Sequence, residues 1–216
     1  MKDDKSQAAQ AYRKLEEDIV TLKLKPGDAI TETYLTERLG VGRTPIREAI
    51  QKLSWEGLLV IRPRLGVMIA EMNPADFSKV LDARHALERL VAGLAARLAS
   101  RSEREALEKC AGRMRDAAAK PDVDRFLQLD KTFDEIVAIA ACNPFAAKAL
   151  APLQTQSRRF WYRHYGQADL NPAAWNHVEL MQAISAGDEQ EATDKAENLM
   201  FYLRRQASAL TSGDRV

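Results

Sequence analysis

Residues 39–66 read LGVGRTPIREAIQKLSWEGLLVIRPRLG, and this stretch decides the fold. It gathers Arg43, Arg47, Lys52, Arg62 and Arg64 against only Glu48 and Glu56, whereas the whole chain of 216 residues carries a net charge of +1. A nearly neutral chain has no global attraction for a polyanion, so charge concentrated here implies a local binding patch. Pro45 falls in the first turn of a helix beginning near Thr44, a position where the missing N–H leaves no bond unmade. At 100° per residue, Ile46, Ala49, Ile50 and Leu53 share one arc of that helix, and Arg43, Thr44, Arg47 and Gln51 share another. The apolar arc seats the helix and the polar arc faces out.

Upstream, residues 8–21 form an amphipathic helix with Ala8, Ala11, Tyr12, Leu15, Ile19 and Leu22 on one stripe and Arg13, Glu17 and Thr21 opposite. The Pro-Gly turn in KPGD breaks it, and a short helix over 31–39 stops at Gly40, a suitable left-handed terminator. Helix, glycine-containing turn, helix is the helix-turn-helix pattern. Downstream, 58–61 and 67–70 are short β-rich runs separated by Arg, Pro and Gly, which predicts a two-stranded hairpin, or wing. Two guanidinium groups one turn apart near a helix start can each bind guanine O6 and N7 in the major groove. Helix-start N–H groups and the Thr44 hydroxyl suit phosphate oxygens. Arg62 and Arg64 belong to the wing tip, where Gly66 permits close approach to the DNA backbone.

These residues resemble the winged helix-turn-helix of the GntR family of bacterial transcription regulators. The family pattern runs PG, then L-x-E-x-L-G-V-S-R-T-P-V-R-E-A-L, then E-G-L and a wing glycine, and the match spans about residues 8–72. The resemblance implies that Arg43, Thr44 and Arg47 contact the operator and that Gly66 lies in the wing contact. Gly42 stands where the family usually has Ser; glycine caps a helix nearly as well but offers no hydroxyl, so slightly weaker anchoring is expected there.

MNPAD around residue 74 marks the domain boundary. Six helical segments follow, at roughly 74–99, 102–119, 121–141, 144–165, 172–186 and 188–210, with breaks at Ser100, Pro121, Asn143-Pro144, Asn171-Pro172 and Gly187-Asp188. The fold class expected is mainly α: an N-terminal winged helix-turn-helix (8–72) and a C-terminal six-helix antiparallel bundle (74–211). The second domain is similar to the FCD effector domain of the FadR subfamily, in its six-helix, VanR-like form, through ARHALERLVAGLAARLA, LDKTFDEIVAIAACNP and HVELMQAISAGDEQEA.

Many FCD domains hold a divalent metal through one Asp and three His. The resemblance maps these ligands onto Asp130, Asp134 in place of a His, His177, and Leu199 in place of the last His. Asp130 and Asp134 lie in or beside the apolar arc formed by Leu129, Phe133, Ile136, Val137 and Ala140, and buried carboxylates need compensation by a metal, an Arg or a watery cavity. His177 shares its arc with Leu180, Met181 and Ile184. Two carboxylates and one imidazole can still hold zinc, nickel or manganese, with water or an effector in the open positions. The competing reading is a metal-free pocket. QTQSRRFWYRHY places Arg158, Arg159, Tyr162, Arg163 and His164 on one helix. An inward Arg there, with Arg158 and Arg159 as the effector candidates, pairs with Asp130 or Asp134 or holds an effector carboxylate bidentately, with Tyr162 and His177 alongside. The plainer alternative leaves Arg158, Arg159 and Arg163 solvated, and His85 is given no role.

Cys110 and Cys142 are isolated and are expected as two buried free thiols. The charged start MKDDKSQAAQ lacks an apolar core and no run reaches membrane-span length, so a cytoplasmic location is expected. The leading function is a ligand-responsive regulator, acting chiefly as a repressor, that binds a palindromic operator in double-stranded DNA as a homodimer and takes a small carboxylic acid as effector. A second reading is an architectural DNA binder whose pocket has lost effector and metal. A third makes the bundle a hydrolase with a metal on Asp130, Asp134 and His177, but the chain has no further general base, no E-x-x-H pair on a helix and no phosphate-cradling loop, so no enzyme is expected.

Overall fold

The computed structural model describes residues 6–62, 66–120, 122–165 and 170–211. The chain divides into two compact units, residues 1–73 and 74–216.

In the first unit, α1 (Gln7–Val20) starts at Ser6, whose side chain accepts from the Ala9 N–H. Thr31 caps α2 (Glu32–Leu39) by accepting from the Tyr34 N–H, and Gly40 ends it in the left-handed conformation at φ 65°, as the sequence predicts. α3 (Arg43–Trp55) follows two residues later and no side chain caps it, the consequence of glycine at position 42. Leu15, Ile19, Leu35, Ile46, Leu53 and Leu58 are buried together and lock the three helices into one core. Asp18 of α1, fully buried, receives Arg38 Nη2 of α2 at 2.7 Å, and Tyr12 of α1 donates its hydroxyl to Glu56 at 2.9 Å beyond the end of α3.

The wing forms from β2 (Leu59–Arg62) and β3 (Gly66–Ile69), antiparallel with Leu59 opposite Ile69 and Arg62 opposite Gly66. A third strand, β1 (Ala29–Ile30), pairs with the other edge of β3, giving the order β1-β3-β2. The sequence pattern did not predict β1, because two residues carry no alternation of their own. Gly66 adopts φ +91°, and a Cβ there would stand 3.2 Å from the Ile30 carbonyl oxygen. The close approach that requires glycine is thus to β1 within the sheet.

The second unit contains α4 (Pro74–Leu98), α5 (Arg101–Ala119), α6 (Val123–Ala140), α7 (Pro144–Tyr165), α8 (Asn171–Ala186) and α9 (Glu189–Thr211). Its boundaries follow the expected breaks: Ser100 and Glu103 form a reciprocal capping box for α5, and Gly187 at φ 82° terminates α8. α6 starts two residues later than expected, since Asp122 serves as its cap by accepting from the Arg125 N–H. α4 packs along α9 and α7, while α5 packs along α8 and α6. Arg104 of α5 donates to the Ala96 and Ala99 carbonyls at the end of α4 and to the Ile184 and Ser185 carbonyls at the end of α8. One guanidinium therefore satisfies the orphan carbonyls of two helix ends.

The cysteines depart from expectation in one respect. Both are free, and Cys110 is buried, but Cys142 is exposed. It lies just past the end of α6 at φ 49°, in the turn into α7, so its thiol is not on a packed helix face. Among the described residues no helix is long and apolar enough to cross a membrane.

Candidate DNA-reading face and buried charge cluster

The two arcs of α3 separate as the periodicity requires. Ile46, Ala49, Ile50 and Leu53 are buried, and Arg43, Thr44, Arg47 and Gln51 are exposed. Arg43 and Gln51 make no hydrogen bond or ion pair among the described residues. Arg47 has one partner there: its Nε lies 2.9 Å from each carboxylate oxygen of Glu32, the first residue of α2. That hydrogen bond and the charge of Glu32 raise the Arg47 pKa above its usual value. Glu32 escapes sequence reasoning because fifteen positions and a turn separate it from Arg47. Arg62 is exposed at the end of β2 beside Gly66; Arg64 lies outside the described residues. The resulting surface is a helix with guanidinium groups on its outward arc, an uncapped positive N-terminus, and an adjacent hairpin.

The bundle buries a cluster of charges. Asp130 and Asp134 of α6 both receive Nη1 of Arg158 from α7, Asp130 at 3.3 Å and Asp134 at closer range. The other oxygen of Asp130 lies 2.8 Å from His177 Nε2. His177 Nδ1 lies 2.7 Å from the Ala173 carbonyl, which can only accept. With Asp130 ionised, the ring donates on both sides, as an imidazolium does. Phe126 and Phe133 flank it edge-on. Beside these groups, Arg84 pairs with Glu88 on α4, and Gln154 of α7 donates to Glu88 at 3.2 Å.

Burial opposes all three titrating groups, and their neighbours decide the outcome. Burial lowers the His177 pKa, but the hydrogen bond and charge of Asp130 and the Ala173 carbonyl carry it above its ordinary value. For Asp130, burial raises the pKa, yet the His177 bond and the charges of His177 and Arg158 hold it below the usual carboxylate range. Burial and then the charge of Asp130 push Asp134 up to about 8 against the pull of Arg158. Asp134 is thus the carboxylate that takes up a proton first. Burial, followed by Asp130, also pushes the Cys110 thiol up to about 11, leaving it an unreactive core group.

A cavity of ≈ 30 Å³ opens beside the cluster, lined by Arg84, Phe126, Asp130, Arg158, Trp161 and His177, among others. Of the residues singled out from sequence, Asp130, Arg158 and His177 reach it. Asp134, held by Arg158, does not line it. Arg159 is completely buried and Tyr162 half-buried, and neither lines the cavity. Arg163 is exposed. His85 faces Glu197 at 3.6 Å and the edge of Phe201, tying α4 to α9. Arg84 and Glu88 carried a signal in the sequence: they lie on the buried stripe of Leu81, Val91, Ala92 and Ala95 at heptad spacing.

The metal donor set does not fit as arranged. Arg158 stands against both carboxylates, His177 Nε2 is spent on Asp130, and the fourth position is Leu199, buried in its stripe with Ala192, Ala196 and Leu203. Among the described residues no group of three His, Cys, Asp or Glu side chains is disposed to hold a metal ion.

Comparison with known proteins gives the lineage of both units. Residues 7–69 match the model of bacterial regulatory proteins of the gntR family, and residues 79–200 match the FCD domain. The HTH-type transcriptional repressor RspR of Escherichia coli K12 is 34% identical over 182 residues, which cover 83% of this chain and 79% of that protein. The chain is a GntR-family transcription regulator with an FCD domain. HTH-type transcriptional regulator McbR of the same organism is 24% identical over 177 residues. The solved E. coli McbR/YncC structure superposes with a TM-score of 0.82 at 20% identity, covering 95% of this chain and 99% of that one, which shows a shared fold. Both matched domains and the named relatives belong to transcription regulators, and none supports the hydrolase reading.

Proposed function

We propose that this GntR-family regulator is a repressor that binds a palindromic operator as a homodimer and is released by a small carboxylic acid held in the bundle. The observation that carries the DNA half is the outward arc of α3, where Arg43 and Arg47 are exposed one turn apart while the opposite arc is buried. Thr44 and the uncapped helix start anchor phosphates, Gln51 extends the reading arc, and Arg62, Arg64 and Gly66 belong to the wing contact. A dyad in the operator answers the two-fold axis of a dimer.

The charge cluster supports an acid as effector. With Asp134 protonated, Arg84, Arg158 and His177 face only Asp130 and Glu88, and the site carries one positive charge more than negative. An entering carboxylate can take Arg158 while Asp134 keeps its proton, and its single negative charge then balances the site. The cavity has room for only about two waters, so binding requires the lining helices to part. That coupling would give the effector a different affinity for two arrangements of the bundle, which is the condition for it to shift DNA binding. Because Arg158 already fills the cation position between the carboxylates, zinc, nickel and manganese are expected not to bind the parent protein.

The test has two arms. Sedimentation should give a dimer, and duplexes selected from a random pool should carry an inverted repeat. In a thermal-shift screen of small mono- and dicarboxylic acids, one should stabilise the protein, by about 2.7 kcal/mol at a hundred times its Kd, and release the selected duplex. A monomer without dyad preference rejects the operator reading; no stabilisation by any acid rejects the effector and leaves the architectural alternative.

A further inference from the structure

We infer that Glu32 is a positioning residue for Arg47, holding its guanidinium so that the end-on pair, Nη1 and Nη2, is presented to a guanine edge. The inference rests on the reading that Arg47 touches base edges. A free arginine side chain offers two hydrogen-bonding forks, Nε with Nη2 and Nη1 with Nη2, and its many rotamers must be ordered when it binds. Here the single Nε–H points between both oxygens of Glu32, each 2.9 Å away. Neither Nη nitrogen has a partner among the described residues, so only the end-on fork remains available.

Glu32 is itself held on a rigid mount. Thr31 caps the same turn of α2 through the Tyr34 N–H, Leu35 one turn on is fully buried, and Arg38 at the far end of α2 is clamped by the buried Asp18. Glu32 therefore transmits the position of α2 to the tip of a side chain on α3. The pair contributes little as a fold brace, because Arg47 is 63% and Glu32 36% exposed and water screens such pairs. It also places a negative charge beside the surface that meets phosphates, which weakens attraction to any duplex. A carboxylate there lowers general affinity while sharpening selection, and these opposite signs identify its role.

The test measures binding of parent, Glu32→Ala, Glu32→Gln, Arg47→Ala and the double Ala variant to a parent-selected duplex and a scrambled one, at one salt concentration. Glu32→Ala should lower the preference for the selected duplex about tenfold, a good part of what a bidentate contact supplies, with scrambled-duplex binding unchanged or tighter. Glu32→Gln, whose amide oxygen still accepts the Nε–H, should restore most of that preference. In the Arg47→Ala background, Glu32→Ala should change nothing further. If Arg47→Ala abolishes the preference and Glu32→Ala leaves it intact, the positioning role is wrong while the base contact stands. If Arg47→Ala leaves the preference intact, the base-contact reading fails first and the inference falls with it. Equal losses on both duplexes with a lowered Tm would make Glu32 a fold brace and overturn the inference.

Discussion

Replacing Arg158 by Ala probes the buried cluster most sharply. Arg158 is 8% exposed and meets Asp130, Asp134 and the Thr155 hydroxyl. Asp130 keeps His177 after the change, so Asp134 bears the loss. Removing one partner of a buried ion pair costs about 3–5 kcal/mol when the other charge stays behind; Asp134 can take up a proton instead, so that range is the upper end of the loss. The cost is pH-dependent with a definite sign. Asp134 already binds its proton more tightly in the folded than in the unfolded chain, and losing Arg158 raises its folded pKa further. Below about pH 8 the carboxyl is protonated in both proteins and the penalty is modest. Above it the parent can ionise against Arg158 while the variant cannot, so the gap widens by up to about 1.4 kcal/mol per pH unit. Urea unfolding at fixed protein concentration, followed by the emission of buried Trp161, measures both effects at pH 6 and pH 9. Arg158→Met with Asp134→Leu should recover most of the loss, since an apolar pair of similar volume replaces the ions. With the guanidinium gone, nickel or zinc should stabilise Arg158→Ala but not the parent, as Asp130, Asp134 and His177 are released to one another. A penalty below about 1 kcal/mol that is the same at both pH values would refute the buried pairing.

Other consequences are open to measurement. The pKa values of Asp134 and His177 are both raised on folding, so their contributions are greatest at low pH and are lost as pH rises; the parent's Tm should fall between pH 6 and 9, and Asp134→Asn should flatten the fall. A rising Tm over that range would contradict the assignment of protons in the cluster. Gly66→Ala should destabilise the first unit by about 1–3 kcal/mol, because alanine is strained at φ +91° and its Cβ meets the Ile30 carbonyl; an unchanged denaturation midpoint would show that the wing readily adjusts.

Much of the fold was legible because its signals are local. Pro45 in the first turn of α3, Gly40 after α2, the Ser100-Glu103 box and Gly187 each specify a helix end through a backbone requirement that one residue meets. The separation of arcs on α3 and α6 followed from periodicity alone, as did the inward placement of Asp130, Asp134 and His177. What stayed illegible depends on partners distant in sequence. β1 exists only by pairing with β3, about forty positions away. Nothing in QTQSRRFWYRHY says which guanidinium enters the core; Arg158 and Arg159 do and Arg163 does not, because the phase of α7 is set by its packing on α4 and α6. Arg84 and Glu88 drew no reading from the sequence, although they share the buried stripe of Leu81, Val91 and Ala95.

The central claim, that Arg43 and Arg47 read base edges from α3, is tested most directly by base-pair-resolved binding. Single-substitution libraries of a parent-selected duplex, titrated with parent, Arg43→Ala and Arg47→Ala at one salt concentration, report which positions each side chain reads. Each variant should lose about tenfold or more on the selected duplex and become indifferent to base identity at its own position in each half-site, leaving the other positions as discriminating as before. Variants that bind every duplex in the library as the parent does would contradict the claim.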